Sequence, residues 1–488
     1  MKAYRSYNPL QPYILPPSPQ EWLPDGHLAY FVLSFVGRLS LGRIEHAIQA
    51  KDPRGTQPYS PRMMVALLLY GYATGVYSSR RLERATVEDV AFRVLAGGEQ
   101  PHFTTINQFR AIHRAALADL FVQVLAACQS AGLVKLGHVA IDGTKMKANA
   151  SKHKAMSYDR IVKDEARLRA EVEAWMARAE AEDAADDEEL GSYDPQEEIR
   201  LREERIAKMQ AALEALTRET AAARAAQLHG QAQELRTKAQ DPQRAPKKRK
   251  EAATLADKRV QQALALDPPK DDDDKDPPGP DDDLPRNSPP ATRDGTPKPK
   301  AQRNFTDPQS RIMLRDGAFL QAYNAQLAVD EEHQIIVAAA LSNQSPDTQY
   351  FAPMLRRVVH NCDAVPERVT ADSGYFSAAN VEYAERMGTT PFISVGKVRN
   401  DGAHADAQRR QTPAQLAMRA VLSTPEGHAA YARRKATVEP VIGQIRTRGF
   451  RQLSFRGLFK NRCEWSFVSL VHNLMKLFRA QQRAALPA

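Results

Sequence analysis

Apolar residues recur at helical spacing over the amino-terminal part of the chain, from about residue 26 to 132. Ser60 and Pro61 supply an N-cap residue and a first-turn proline ahead of the apolar run MMVALLLYGYATG. The pattern predicts an all-helical domain over 26–132, preceded by a Pro- and Tyr-rich irregular segment over 1–25. Three more helices are expected here, namely SSRRLER, a segment from Thr86 to the glycine stop at Gly97-Gly98, and a segment from a Thr105–Gln108 capping box to Ser130.

The period changes at about residue 136. The stretch LGHVAIDGT predicts a buried strand, and AYNAQLAVD and QIIVAAALS predict two more strands joined by a tight turn. Further along come a strand leading into Asp372, a helix ending at Gly388, the strand PFISV, and a helical region that contains Glu439 and runs to Phe478. Strands that alternate with helices predict a mixed α/β domain over 133–151 and 301–480.

A long insertion divides that α/β domain. Apolar residues at heptad spacing, such as Ile161 and Leu168 and later Ile206 and Leu213, lie on two stretches joined by an acidic loop. This pattern predicts an inserted antiparallel helical hairpin over 152–266, which we expect to be a solvated protrusion without a catalytic role. Residues 267–300 are dense in Pro and Asp, which predicts a disordered acidic linker.

Composition restricts the possible functions. The 488 residues carry a net charge of +9, with a pI of about 9.3, which favours polyanionic partners. Three widely spaced cysteines argue against a disulfide scaffold or a thiolate zinc site. A secretory leader is not recognisable, and no apolar run approaches the roughly 20 residues of a membrane span, so a cytoplasmic, nucleoid-associated protein is expected. Without GxxxxGK[ST] or HExxH motifs, neither an ATP motor nor a zincin is indicated.

Three carboxylates occur in unusual contexts, in the order Asp142, Asp372 and Glu439. Each aspartate follows an apolar stretch and precedes a turn residue, so each is expected at the end of a buried strand. Gly143 and Gly374 are expected to let a substrate backbone approach closely. Mg²⁺ prefers such hard oxygen ligands, and paired Mg²⁺ ions support phosphodiester transfer. Taken singly, each aspartate would be an ordinary turn former, so the hypothesis depends on the combination.

Two ambiguities remain at this stage. Pro440 directly follows Glu439, so either the helix kinks there or Glu439 precedes a new helix. Arg110 and Arg114 are four residues apart on one helical face. Together with Arg80, Arg81 and Arg84 they indicate either a helix-turn-helix DNA reader or a solvated basic face on an ordinary bundle, and the sequence leaves both open.

The motifs IDGTK, ADSGY and VEPVIGQIR, in that order, resemble the DDE transposases of bacterial insertion sequences. The helical run SPRMMVALLLYGYATGVYSSRRLERATVEDVAFRVLAGG is similar to the domain that begins one group of them. The resemblance implies an RNase H-like catalytic domain in which Asp142, Asp372 and Glu439 bind Mg²⁺, with Mn²⁺ able to substitute. It also implies cleavage of DNA at terminal repeats and joining of the 3′-hydroxyl to target DNA, no membrane partner, and possible homo-oligomers.

Members of that family often carry a Tyr, Arg, Glu, Lys signature around the glutamate. Tyr431, Arg434 and Glu439 match in type, Arg446 replaces the lysine, and Lys435 has the better spacing for the first cation. Two alternatives stay open: a catalytically inactive, transposase-derived DNA-binding protein, and an RNase H-like nuclease without strand transfer. The residues expected to contact DNA are Lys145, Arg434, Lys435, Arg446, Arg80, Arg81, Arg84, Arg110 and Arg114.

Overall fold

The structure is a computed structural model that describes residues 19–50, 57–182, 195–267, 283–396 and 411–485. Three segments for which the sequence makes predictions therefore lie wholly or partly outside the described residues. These segments are the irregular segment over 1–25, the acidic loop of the insertion and the first half of the acidic linker.

Among the described residues of the amino-terminal region there are seven α-helices, and Pro61 begins the third of them as expected. The predicted third and fourth helices are each divided in two. Asp89 ends one helix and caps the next by accepting from the backbone N–H groups of Ala91 and Phe92. The predicted capping box is wrong, because His102 caps the sixth helix and a break at His113 separates it from the seventh. The helices are α1 (Leu28–Arg38), α2 (Gly42–Gln49), α3 (Pro61–Thr74), α4 (Ser79–Glu88), α5 (Val90–Ala96), α6 (Phe103–Ile112) and α7 (Arg114–Ser130).

A six-stranded mixed sheet forms the second region. Its central strand β1 (Val139–Lys147) pairs in parallel with β7 (Arg368–Ala371) on one side and antiparallel with the long strand β5 (Ala318–Asp330) on the other. The order across the sheet is β4–β5–β1–β7–β8, and β6 pairs with β5 beyond the end of β4. This is the mixed sheet expected of an RNase H-like domain. The remaining strands of this sheet are β4 (Arg311–Arg315), β6 (Ile336–Ser342) and β8 (Thr390–Ile393).

In the described part of this region, five α-helices accompany the sheet and tie it to the amino-terminal region. Both α3 and α7 pack on the last of these helices, and one hydrophobic cluster runs from Ala29 through the sheet to Leu477. The helical region therefore shares its core with the α/β domain. These helices are α11 (Phe351–Cys362), α12 (Ala378–Arg386), α13 (Pro413–Ser423), α14 (Pro425–Thr447) and α15 (Leu458–Ala485).

Helix α14 continues through Pro440, so Pro440 does not begin a new helix after Glu439. A proline in a helix interior leaves the carbonyl four residues earlier without its usual donor, and here that carbonyl belongs to Ala436. The side chain of Gln334 supplies the replacement, with its Nε2 donating to the Ala436 oxygen at 3.0 Å. Glu439 therefore lies within one uninterrupted helix.

Three helices occur in the residues of the insertion that the structure describes, one more than the heptad pattern predicted. Helix α8 (Tyr158–Glu182) packs on the first half of α9 (Pro195–Gln240), with Ile161 and Ile206 among the buried residues. Helix α10 (Pro246–Leu266) packs on the second half of α9 through a seam rich in alanine. A two-stranded sheet of β2 (Ala155–Ser157) and β3 (Gln302–Asn304) closes the base of the insertion.

The second half of the predicted disordered linker is packed and not disordered, because residues 283–287 lie against the α/β domain and Gly295 lies against the insertion helices α9 and α10. Leu284 is buried in the main core. Asp283 pairs with Arg356 and Arg357 of α11, at 2.8 and 2.7 Å. Asn287 donates its backbone N–H to Asn343. A buried leucine and a doubly paired aspartate offset the entropic cost of ordering this proline-rich stretch.

Among the helices in the described ranges, no single one is both long and apolar enough to cross a membrane. Only the bent pair α6 and α7, which meet at 71°, satisfies the length and composition criteria together.

Candidate active site

Asp142 and Asp372 lie side by side at the junction of β1 and β7. The parallel pairing of these strands ends at Ile141 and Ala371, so the next residue on each strand is an aspartate. Neighbouring strands are about 4.8 Å apart, which brings the two carboxyl groups into one site. Asp372 follows its strand as predicted, and its Oδ1 accepts from the Gly374 N–H at 2.8 Å. Asp142 is not at a strand end, because β1 continues beside β5 as far as Lys147.

Arg434 of α14 is the principal partner of Asp142. Its Nη1 lies 2.7 Å from Asp142 Oδ2, and the side chains of Arg434 and Asp142 are only 8% and 15% exposed. The pKa of Asp142 is raised to about 6, chiefly because the carboxyl group is buried and also because of the nearby charge of Asp372, while Arg434 and the Gly143 N–H act to lower it. The guanidinium thus neutralises a carboxylate that is poorly solvated and faces a second acid.

Gly143 makes room for a buried side chain of the protein, and not for a substrate as expected. It is opposite Gln326 in the β1–β5 register, and a β-carbon at position 143 would collide with the Gln326 amide. The side chain of Gln326 uses that space to accept a hydrogen bond from the Tyr375 hydroxyl, just beyond Asp372. The pKa of Tyr375 is raised well above its usual value, first by burial and then by the charges of Asp347, Asp142 and Asp372.

Asp347, which no sequence motif indicates, is the third acid around Tyr375. It lies in the loop after β6, and its Oδ1 accepts from Asn324 Nδ2 at 2.7 Å and from Gln326 Nε2 at 2.9 Å. Lys145 Nζ lies 3.1 Å from the same oxygen and also donates to the Ser345 carbonyl at 2.8 Å. A sequence search for strand-end acids passes over a loop aspartate such as this one, although the preceding Ser345-Pro346 pair marks the turn.

The two faces of β1 therefore have different partners. Side chains alternate along a strand, so Asp142 and Thr144 face one side while Gly143 and Lys145 face the other. The first side faces α14, where Arg446 Nη2 donates to Thr144 Oγ1 at 2.5 Å. The ammonium of Lys145 is held on the opposite side by Asp347. Contact of Lys145 with DNA would require this internal ion pair to open.

Glu439 lies on the exposed surface of α14. Its side chain is exposed, and among the described residues no hydrogen bond or ion pair involves it. Seven residues separate it from Arg446, so both lie on the face of α14 that reaches β1 at Thr144. Lys435, the alternative to Arg434 for the first cation, is exposed. Convergence of Glu439 with the two aspartates remains a prediction.

The upstream arginines fall into two groups. Arg80, Arg81 and Arg84 are exposed on α4, and the Arg80 guanidinium lies over the Phe103 ring, 4.8 Å from its centroid. The other two, Arg110 and Arg114, are directed inward. They line a small cavity of about 20 Å³ together with the buried Glu464.

Arg110 joins the helical region to the catalytic domain. Its Nη1 donates to the Tyr77 carbonyl at 2.9 Å, and its guanidinium lies 4.9 Å from the centre of the Phe455 ring. Arg110 and Arg114 are therefore half-buried against the rest of the protein and do not form an open solvated face, and contact of either residue with DNA stays a prediction. The break at His113 rotates α7 relative to α6, and both arginines then meet α15.

An open cleft lies beside the exposed arginines. Its volume is about 560 Å³, and its walls come from the start of α4 and one face of α6. Two amide side chains, Asn107 and Gln108, line it with Arg80. Amides and guanidinium groups are the side chains that most often read base edges in a DNA groove.

Divalent-metal chemistry fits part of this site. Across the described ranges, no group of three or more His, Cys, Asp or Glu side chains is already assembled to hold a metal ion. The adjacent pair Asp142 and Asp372 does match what Mg²⁺ requires of a protein, because that ion is commonly held by one or two carboxylates with waters and substrate phosphates.

Two family models match the chain. A transposase DDE domain matches residues 292–474, a span that contains Asp372 and Glu439 but not Asp142. A transposase domain (DUF772) matches residues 17–111, which covers α1 to most of α6. No curated protein and no solved structure gives a significant match to the chain. With both matches in their expected order and the Asp142–Asp372 pair on an RNase H-like sheet, the chain belongs to the DDE transposases of insertion sequences.

Proposed function

We propose that this protein is an active DNA transposase that cleaves the ends of its element and joins them to target DNA. The observation that carries the proposal is the placement of Asp142 and Asp372 next to each other across the β1–β7 junction. More than 200 residues and a three-helix insertion separate them in sequence, and yet the fold makes them neighbours. Such an arrangement suits two ligands of one cation-dependent site. The proposed location of the enzyme is the cytoplasm, at the nucleoid.

Mg²⁺ would be held by Asp142 and Asp372, with Glu439 as the proposed third ligand and Mn²⁺ as a substitute. When bound, the metal would supply Lewis-acid activation of an attacking oxygen and neutralise charge on the phosphate. Hydrolysis breaks the bond between phosphorus and the 3′-oxygen at the element's end. In strand transfer the freed 3′-hydroxyl attacks a target phosphorus, and a target 3′-oxygen leaves.

The chain's own cations would position the DNA around that reaction. Arg446 lies on the side of β1 that faces α14, and Lys435 is exposed on the same helix, so both are proposed to hold phosphates near Glu439. The Arg434 guanidinium keeps Asp142 ionised despite its burial, which preserves a carboxylate for the cation. The cleft between α4 and α6, with Arg80 at its edge, is proposed to bind the terminal repeat.

The experiment is cleavage of DNA that contains the sequences flanking the gene, followed by separation of nicked and joined products. Asp142→Asn, Asp372→Asn and Glu439→Gln should each reduce Mg²⁺-dependent cleavage by at least a hundredfold and leave DNA binding intact. A matched control is Glu332→Gln, an exposed acid in the β5–β6 turn, which should cleave like the wild type. Full cleavage by all three site variants would refute the assignment.

The same assay separates the two alternatives. Binding to the flanking repeats without cleavage in Mg²⁺ or Mn²⁺ would identify an inactive, transposase-derived DNA-binding protein. Nicks without joined products would identify a nuclease of the same fold.

A further inference from the structure

The far end of the α9–α10 hairpin carries an unusual concentration of positive charge, which we call the basic tip. Between residues 236 and 250 only one carboxylate occurs, Asp241, and it pairs with Arg244 at 3.4 Å. All the basic side chains in this stretch are exposed. The basic tip consists of Arg236, Lys238, Arg244, Lys247, Lys248, Arg249 and Lys250.

Most of this charge has no counter-charge in the protein. Arg236 pairs with Asp257 at 3.6 Å, across the hairpin. Within the described parts of the chain, no carboxylate lies within ion-pair distance of Lys238, Lys247, Lys248 or Lys250. The other half of α9 differs, because there cations alternate with glutamates, as in the Arg200–Glu204 pair at 2.5 Å.

Helix stability does not explain the arrangement. Four consecutive cations, Lys247 to Lys250, occupy the first turn of α10, where the helix dipole favours acidic side chains. Like charges in adjacent positions also repel one another. Because these cations destabilise the start of the helix, their presence indicates a role other than stabilising the fold. A bound polyanion would reduce the repulsion between them.

The basic tip projects well beyond the catalytic domain. Glu219, at the middle of α9, pairs with Arg303 and with Arg311 at 3.6 Å, and this contact anchors the helix to the base of the insertion. From Glu219 to the end of α9 at Gln240 is about 30 Å of helix, at about 1.5 Å per residue. The buried alanines Ala252 and Ala256 hold α10 closely against this projecting half. The same length of B-DNA is about nine base pairs.

We propose that the basic tip is a second DNA-binding surface. It contacts the phosphate backbone of duplex DNA about one turn of the DNA double helix away from the anchoring contact at Glu219. This inference rests on the proposed function, because it takes the polyanion to be the DNA on which the enzyme acts. Contacts from lysine and arginine side chains to phosphates fix the position of a protein on the duplex but carry no sequence information directly. The tip would therefore add affinity and hold DNA in register while specificity resides elsewhere.

The test uses the full-length protein and a 30-base-pair duplex in a fluorescence anisotropy titration over a range of salt concentrations. The tip variant is Lys247→Glu with Lys248→Glu and Lys250→Glu. The matched control carries the same charge change on the other half of α9, at Arg205, Lys208 and Arg218, all exposed. Each lost phosphate contact lowers the slope of log K against log salt by about 0.9, so the tip variant should lose about two to three units of slope.

The tip variant should also bind at least tenfold more weakly at low salt, equally for any duplex sequence, while the control stays within twofold of the wild type. A glutamine version of the tip variant should show a smaller loss in the same direction, and circular dichroism should show unchanged helix content. An unaltered slope, an equal loss in the control, or tip-dependent binding of RNA but not of duplex DNA would overturn the proposal.

Cleavage measured in parallel separates this inference from the proposed function. If the wild type binds DNA through the tip and cleaves nothing, the proposed transposase activity is refuted and the proposed role of the basic tip is supported. If the wild type cleaves DNA and the tip variant matches it in slope and affinity, the tip fails and the activity stands.

Discussion

The strongest internal test of the site concerns Gly143, which we expect to be intolerant of alanine because of one neighbour, Gln326. A β-carbon at position 143 would overlap Gln326 Nε2 and lie 3.1 Å from Gln326 Cδ and 3.2 Å from Asn324 Oδ1. The amide of Gln326 would have to move. It is fully buried, and it binds Asn324 at 3.0 Å, Asp347 at 2.9 Å and the Tyr375 hydroxyl.

The size of the effect follows from those three hydrogen bonds. Leaving a buried polar group without its partner costs about 1–3 kcal/mol, so Gly143→Ala should lower the free energy of unfolding by about 3 kcal/mol. Without the collision, the same change in a strand would stabilise by about 0.5–1 kcal/mol, since alanine loses less backbone entropy than glycine. The predicted loss therefore depends on Gln326.

A double-mutant cycle measures that dependence. Gly143→Ala, Gln326→Ala and the double variant are compared with the wild type by denaturant unfolding, with the slope on denaturant checked for constancy. In the Gln326→Ala background, Gly143→Ala should be close to neutral or slightly stabilising, which corresponds to a coupling of about 3 kcal/mol. An equal cost of Gly143→Ala in both backgrounds would show that Gln326 does not occupy the space beside Gly143.

Three further outcomes are expected. Arg434→Ala should cost about 3–5 kcal/mol in urea unfolding because it leaves Asp142 buried without its counter-charge, and much less in an Asp142→Asn background; equal costs would contradict the pairing. Asp347→Asn should slow cleavage at saturating DNA, since this carboxylate holds Gln326 and Lys145 in place beside the two aspartates; cleavage at the wild-type rate would disprove that role. Burial, with the Arg448 charge, lowers the pKa of His472 to about 3, so the folded protein binds fewer protons than the unfolded chain below pH 6.5, and stability should fall with acidification. From pH 7 to pH 5 the wild type should lose about 2 kcal/mol more than His472→Gln, and parallel pH profiles would exclude His472 as the cause.

Local sequence was sufficient for features that depend on near neighbours. Pro61 at the start of α3 and the left-handed Gly97 at the end of α5 lie where their backbone preferences put them. The alternation of strands and helices predicted the mixed sheet, because the apolar period reports which faces are buried. Short motifs around Asp142, Asp372 and Glu439 indicated the family. All of these signals are contained within a few residues of chain.

The tertiary structure decided what depends on segments far apart in the sequence. Pairing between β1 and β7 put Asp142 beside Asp372, and α14 brought Arg434 to Asp142 across nearly 300 residues. Gln334 satisfies the carbonyl that Pro440 leaves open, which no local rule indicates. The loop residue Asp347 likewise lies beside the two aspartates because of tertiary contacts, with Gln326 and Lys145. Propensity and periodicity describe one segment at a time, whereas these contacts arise from how the sheet orders its strands and which buried groups then need partners.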